Sequence, residues 1–218
     1  MRIISKIRKF VFIVCVFHSI QPLKSSEPIA VAEFKKIDLP HGICVEIPKH
    51  WMIIDQASRS NLESAGSSVA KNSGLDLNIQ KQNLLAVNSV PSPTGAMIRV
   101  SVSPPEYTQE DLSQLTSEDL KEAGPMFENM LKQMEKAGGI KIIKVYPVTI
   151  EKFNNLYSIV LNYDREGTTS NSIWNVTQYK IPRSNKLIEL TLSKRQSDSL
   201  IWRPILDRVK ASLEFVAN

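Results

Sequence analysis

The chain has 218 residues, with 27 Lys and Arg against 22 Asp and Glu, a net charge of +5. Residues 1–25 hold five of the basic residues (Arg2, Lys6, Arg8, Lys9 and Lys24) and no acidic one. The remainder is therefore neutral, and the excess makes no case for a nucleic-acid partner.

The basic stretch at residues 2–9 runs into an apolar one, Phe10 to Ile20, broken only by His18 and Ser19. A basic n-region before a short h-region is the pattern of an export signal, here over residues 1–25. The run is shorter than the ~20 apolar residues a membrane span needs. If it stayed uncleaved it would be the chain's membrane contact. Residues 26–37 read as a polar lead and residues 38–216 as a single domain. Cys15 leaves with the leader, so Cys44 has no partner for an internal bridge. Some ~190 residues can bury a sizeable core without one.

Within the domain, Ile43–Ile47 is a strand that Pro48 should end, because proline cannot donate to a ladder. Cys44 sits in it as a small buried apolar residue. Trp51 to Ile54 is an apolar step. Residues 57–73 carry a thin helical stripe (Leu62, Ala65, Val69) that stops at Gly74. Leu84–Val90 and Ala96–Ser103 form a hairpin across the Pro91–Gly95 turn chemistry. In the second of these strands Ala96, Ile98, Val100 and Val102 share one face. Pro104-Pro105 stops it.

A helical region follows from Thr108 to Ala137. Thr108 and Asp111 resemble a capping box, and Gly124-Pro125 should divide the region into two pieces. The second piece places Phe127, Met130, Leu131 and Met134 on one face. Four strand-like runs succeed it: Ile140–Ile150, Leu156–Asp164, Ile173–Ile181 and Leu187–Ser193. Their links are too short for crossover helices, so the sheet is an antiparallel meander. The last two runs turn at Arg183-Ser184-Asn185, and in the last one Ile188, Leu190 and Leu192 share a face. A closing helix carries Trp202, Ile205, Leu206, Val209 and Leu213. Pro204 fits its first turn, with Arg203 near the cap and residues 198–202 a separate lead-in turn. The fold class is α+β: an antiparallel β-sheet with helices packed on its faces.

An early Ile47-Pro48-Lys49-His50-Trp51, a closing Ser212-Leu213-Glu214-Phe215, and this order of elements between them resemble the PsbP-like superfamily. The resemblance covers about residues 38–216. It implies an α/β/α sandwich and members that are mostly non-catalytic, working by binding or assembly. DcrB-type exported bacterial proteins are among them, and the leader fits that type.

The chemistry-bearing residues agree with that expectation. His41 and His50 flank the first strand, about 30 Å apart if extended, and cannot share a metal. His41 and Cys44, three residues apart in a strand, point to opposite faces and make no nucleophile pair. No nucleophile elbow or phosphate loop occurs. No catalytic residue, cofactor or metal site is expected. Glu118, Asp119 and Glu122 lie in an acidic helical region that reads as a solvated face or a docking surface. Lys180, Arg183 and Lys186 gather near the last turn as a second candidate surface. Asn175-Val176-Thr177 fits a glycosylation sequon but falls inside a strand. Trp51, Trp174 and Trp202 read as core residues before they read as a pocket. The sequence thus predicts a periplasmic or secreted, non-catalytic protein that binds a protein partner in the cell envelope. The alternative is a small-ligand or lipid carrier with a pocket between sheet and helix.

Overall fold

The structure, a computed structural model, describes residues 32–61, 64, 81–136, 140–167 and 172–216. The helical stripe Leu62, Ala65, Val69 and the leader lie outside these residues; residues 56–61 are helical. Two sheets carry the fold. The smaller has three antiparallel strands in the order β1 (Phe34–Leu39), β2 (Ile43–Pro48) and β11 (Glu214–Phe215). The larger contains β3 (Met52–Ile53), β4 (Gln82–Asn88), β5 (Ala96–Ser103), β10 (Lys186–Arg195), β9 (Ile173–Arg183), β8 (Leu156–Glu166) and β6 (Ile142–Val145) in that spatial order. β7 (Thr149–Phe153) also pairs with β8.

The first strand pair corrects the polar-lead expectation. Residues 34–37, placed in the lead by their charges, are edge strand: Phe34 faces Pro48 and Leu39 faces Ile43 in register. Lys35 and Lys36 are tolerated because the strand lies at an edge, where charged side chains reach water. Ile140–Ile150 is likewise not one strand. Pro147 lies between β6 and β7, and the long β8 holds the two against different stretches of its length. The β7–β8 turn is Asn154-Asn155, both at positive φ (43° and 69°), the conformation a two-residue hairpin loop of matching twist requires.

Helix α1 (Gln109–Ser113) starts at the expected capping box, in which Thr108 and Asp111 bond reciprocally. Helix α2 (Ser117–Lys136) runs unbroken through Gly124-Pro125, so the division falls at residues 114–116 instead. A mid-helix proline costs about 3 kcal/mol. Ala123, Phe127, Met130, Leu131 and Met134 are all buried from the same helix, and larger side chains among them gain about 1.5–3 kcal/mol each. Burial wins, and Pro125 itself faces solvent. Helix α3 (Ser199–Ala211) absorbs the predicted lead-in turn, with Asp198 at its cap in place of Arg203 and Pro204 inside the helix. The carbonyl that Pro204 deprives of its donor belongs to Leu200, a residue 93% exposed, where water can replace it.

The main sheet is covered on both faces. On one, Val100, Ile181, Ile188, Leu190 and Leu192 meet α3 (Ile205, Leu206, Val209) and the small sheet (Ile43, Val45, Ile47). On the other, Ile159, Leu161, Tyr163 and Val176 meet α1 and α2. Cys44 is buried in β2 as expected. A hydrogen bond to Asp38 and then burial push its thiol pKa up. No helix among the described residues is long and apolar enough to cross a membrane.

Candidate functional site

The two charged surfaces expected from sequence fare differently. At the start of α2 the chain caps itself. Thr116 N and Oγ1 donate to Asp119 Oδ2 at 2.8 and 2.7 Å, and Asp119 N donates back to Thr116 Oγ1 at 3.2 Å. Those bonds, the backbone one first, lower the Asp119 pKa. Asp119 is therefore engaged in capping the start of the helix, where a negative charge also suits the positive end of the helix dipole. Glu118 and Glu122 remain exposed, with Lys121 3.4 Å from Glu118.

The basic cluster is dispersed. Lys180 is no part of the surface: it is 2% exposed. Its Nζ donates to Glu189 Oε2 at 2.5 Å, and Lys81 Nζ donates to Glu189 Oε1 at 2.6 Å. The cause is register, since Glu189 faces Lys180 directly across the β9–β10 pair. Burial opposes ionisation of Glu189, but the two ammonium groups outweigh it and hold its pKa at about 2. Burial lowers the Lys180 pKa against the pull of Glu189. Arg183 reaches the other way, donating to the carbonyls of His41 (3.2 Å) and Val216 (2.9 Å) and lying over the Phe215 ring. It fastens the small sheet to the large one. Lys186 lines a surface cleft of about 430 Å³ with Lys81, Gln82, Val102, Ser103 and Pro104. α1 comes to the same end of the hairpin, where Gln109 Nε2 donates to the carbonyls of Pro182 and Tyr157.

The other candidates have structural employment. Trp51 and Trp202 meet edge to face at 5.7 Å, while Trp174 lies under the Arg165 guanidinium and donates to Ser172. The Asn175 amide of the sequon donates to Asp164, which also accepts from Tyr146. His41, at positive φ in the turn before β2, has its carbonyl bonded by Arg183, and His50 is exposed at the turn after β2. A second cleft, about 280 Å³, lies between the small sheet and α3. Its lining includes Lys36, Glu46, Arg208 and Glu214, joined in the ion pairs Lys36–Glu214 and Arg208–Glu46. Such walls suit a polar solute better than a lipid tail.

Residues that the sequence reading missed are Lys81 and Glu189. The signal for Glu189 was present only in the pairing, where it faces Lys180 across the β9–β10 hairpin; Lys81, just before β4, reaches the same carboxylate from outside that hairpin.

Among solved structures, cyanobacterial PsbP (CyanoP) from Synechocystis sp. PCC 6803 superimposes with a TM-score of 0.51 over 90% of this chain and 100% of that one, at 14% identity. The fold is PsbP-like. LpqN of Mycobacterium tuberculosis, described as involved in cell envelope biogenesis, aligns over 86% of this chain and 93% of its own, at a TM-score of 0.47 and 8% identity. No family model and no curated protein matches the sequence. The PsbP-like architecture drawn from the Ile-Pro-x-x-Trp and Ser-Leu-x-Phe ends of the domain is thus present in three dimensions.

Proposed function

We propose that the protein is exported into the cell envelope and acts there without catalysis, by binding another protein through the outer face of α2. The observation carrying this reading is the contrast within one helical turn. Asp119 is bonded into the cap, while Glu118 and Glu122 stand in solvent, with Lys121 of the same helix beside Glu118. An acidic face on a helix whose opposite stripe is buried suits a basic partner surface. The basic leader with its short apolar run supports export, and the PsbP-like fold supports a binding role.

The test is crosslinking in intact envelopes, comparing the wild-type chain with Glu118→Lys/Glu122→Lys. Both positions are exposed, so the fold should be unaffected. Loss of one discrete crosslinked species, with a normal circular-dichroism spectrum, is the expected result. An unchanged crosslinking pattern removes α2 as the docking surface.

A further inference from the structure

Three strands of the main sheet come together at one end. Lys81 stands just before β4, Ser103 is the last residue of β5 and Lys186 the first of β10. Register aligns them: Gln82 faces Val102, and Ser103 faces Leu187, the neighbour of Lys186. The cleft of about 430 Å³ opens at this point, a size that suits a small organic molecule. Its walls are two lysines, the hydroxyl of Ser103, the amide of Gln82 and the apolar Val102 and Pro104, with no acidic residue among them. None of this lining belongs to α2, so the cleft is independent of the docking face proposed there.

The charges at this cleft do not balance. Lys81 and Lys180 share the one carboxylate of Glu189. Glu106 also acts on Lys180, as the smallest of the influences on it, and is no part of the cleft wall. Lys186, half-buried, has no ion pair among the described residues. The smaller cleft beside α3 shows the opposite case, since its Lys36 and Arg208 each hold an acid of the same wall. Hydrogen-bond capacity is left over as well. The Lys81 ammonium directs one of its three hydrogens to Glu189 Oε1 at 2.6 Å. The side chains of Ser103 and Gln82 make no hydrogen bond among the described residues. Lys81 is also held in place, with its side chain 12% exposed and its tip tied to Glu189, so it loses little freedom when it meets a ligand. We infer that this cleft binds a phosphorylated small molecule, the phosphoryl group held by Lys81 and Lys186 and the organic part lying against Val102 and Pro104. A phosphate monoester carries about −1.5 to −2 charges at neutral pH and three strong acceptor oxygens. Lysine serves such a group as a point charge, and a carboxylate brings less charge to the same two cations.

Calorimetric titration of the purified protein tests this, with inorganic phosphate, glucose 6-phosphate, gluconate and glucose as probes. Both phosphates should bind saturably at one site per chain, the ester more tightly, and the affinity should fall as salt rises. Gluconate should bind more weakly than glucose 6-phosphate, and glucose should give no heat. Lys186→Met, which breaks no ion pair, should weaken glucose 6-phosphate binding about tenfold. Lys81→Met keeps Lys180 on Glu189 and should act in the same direction. Lys144→Met, an exposed lysine on β6, should bind as wild type, and so should Glu118→Lys/Glu122→Lys, which separates this site from docking on α2. No saturable heat with either phosphate overturns the inference, as does gluconate binding as tightly as glucose 6-phosphate, or an affinity unchanged in both Lys186→Met and Lys81→Met. So does sedimentation of the protein with phosphatidic acid vesicles, lost in Lys186→Met, when neither soluble phosphate gives heat, which would assign the site to a lipid headgroup.

Discussion

At the scale of single residues, Glu189 carries the largest electrostatic consequence. Its carboxylate accepts from Lys81 and Lys180 inside the sheet, and its pKa is held at about 2 in the folded chain. A lowered carboxyl pKa means that the unfolded state binds the proton more readily. The stabilisation is therefore complete above about pH 4.5 and is lost as the pH falls toward 2. Glu189→Gln leaves two lysines without their shared counter-charge, and removing one partner of a buried pair costs about 3–5 kcal/mol. Urea melts should show that loss at pH 7 and a much smaller difference near pH 2. A variant no less stable than wild type at pH 7 would mean that solvent reaches the group. Gly95 is sensitive for a steric reason instead. A Cβ there would stand 2.5 Å from Trp202 Nε1 and 2.8 Å from two further ring atoms. An indole fixed against Trp51 cannot yield cheaply, so Gly95→Ala should cost about 1–3 kcal/mol, the usual range for overpacking. A melt within error of wild type would show that the ring moves freely.

At the scale of elements, α3 tests how far periodicity can be read. The stripe Ile205, Leu206 and Val209 was legible because it repeats at helical spacing, and the structure buries each of them; Leu213, expected in the same helix, is buried too but lies past its end at Ala211. The start of the helix was not legible: Pro204 looked like a first-turn residue, whereas Ser199 to Arg203 already lie in the helix. Similarly, Gly124-Pro125 looked like a break in α2, and local propensity lost to the five buried side chains around it. The alternation of β10 says which residues share a face but not whether the polar face is covered: Glu189 and Ser193, opposite the aliphatic set, are buried as well. Among the site residues, Glu118 and Glu122 could be placed from sequence because they need nothing but a helix. Lys180 could not, because its fate depends on which residue faces it. Leu206→Ala should cost on the order of 2–5 kcal/mol. Arg208 donates to Glu46 at 3.0 and 3.2 Å and lies over Phe34 at 4.0 Å. Both partners of this ion pair are partly solvated, so Arg208→Ala should cost about 0.5–1 kcal/mol. Denaturant midpoints of the two variants decide the order; a reversal would place the arginine contact, and with it the small sheet, above the core in importance.

At the scale of the whole molecule, the open question is whether the two sheets unfold together. The small sheet is joined to the large one by the shared core of Ile43, Val45 and Ile47 with Leu206 and Val209. It is also joined by Arg183, by Asn154 Nδ2 donating to the Leu213 carbonyl, and by Ser212 Oγ accepting from Glu46 N. Such ties between β2, α3 and the main sheet predict one cooperative transition. Cys44 reports on it directly, being buried at the middle of the small sheet with a thiol whose pKa is raised. In a Cys15→Ser chain, a thiol reagent should react slowly in buffer and quickly in denaturant. Across the urea transition the labelled fraction should follow the same curve as tryptophan fluorescence, because Trp51 and Trp202 lie in or against the shared core. Labelling that precedes the fluorescence change would show the small sheet opening on its own. Arg183→Ala should move the two curves apart if the hydrogen bonds to His41 and Val216 are what keeps that sheet closed, and coincident curves in the variant would assign the coupling to the apolar core alone.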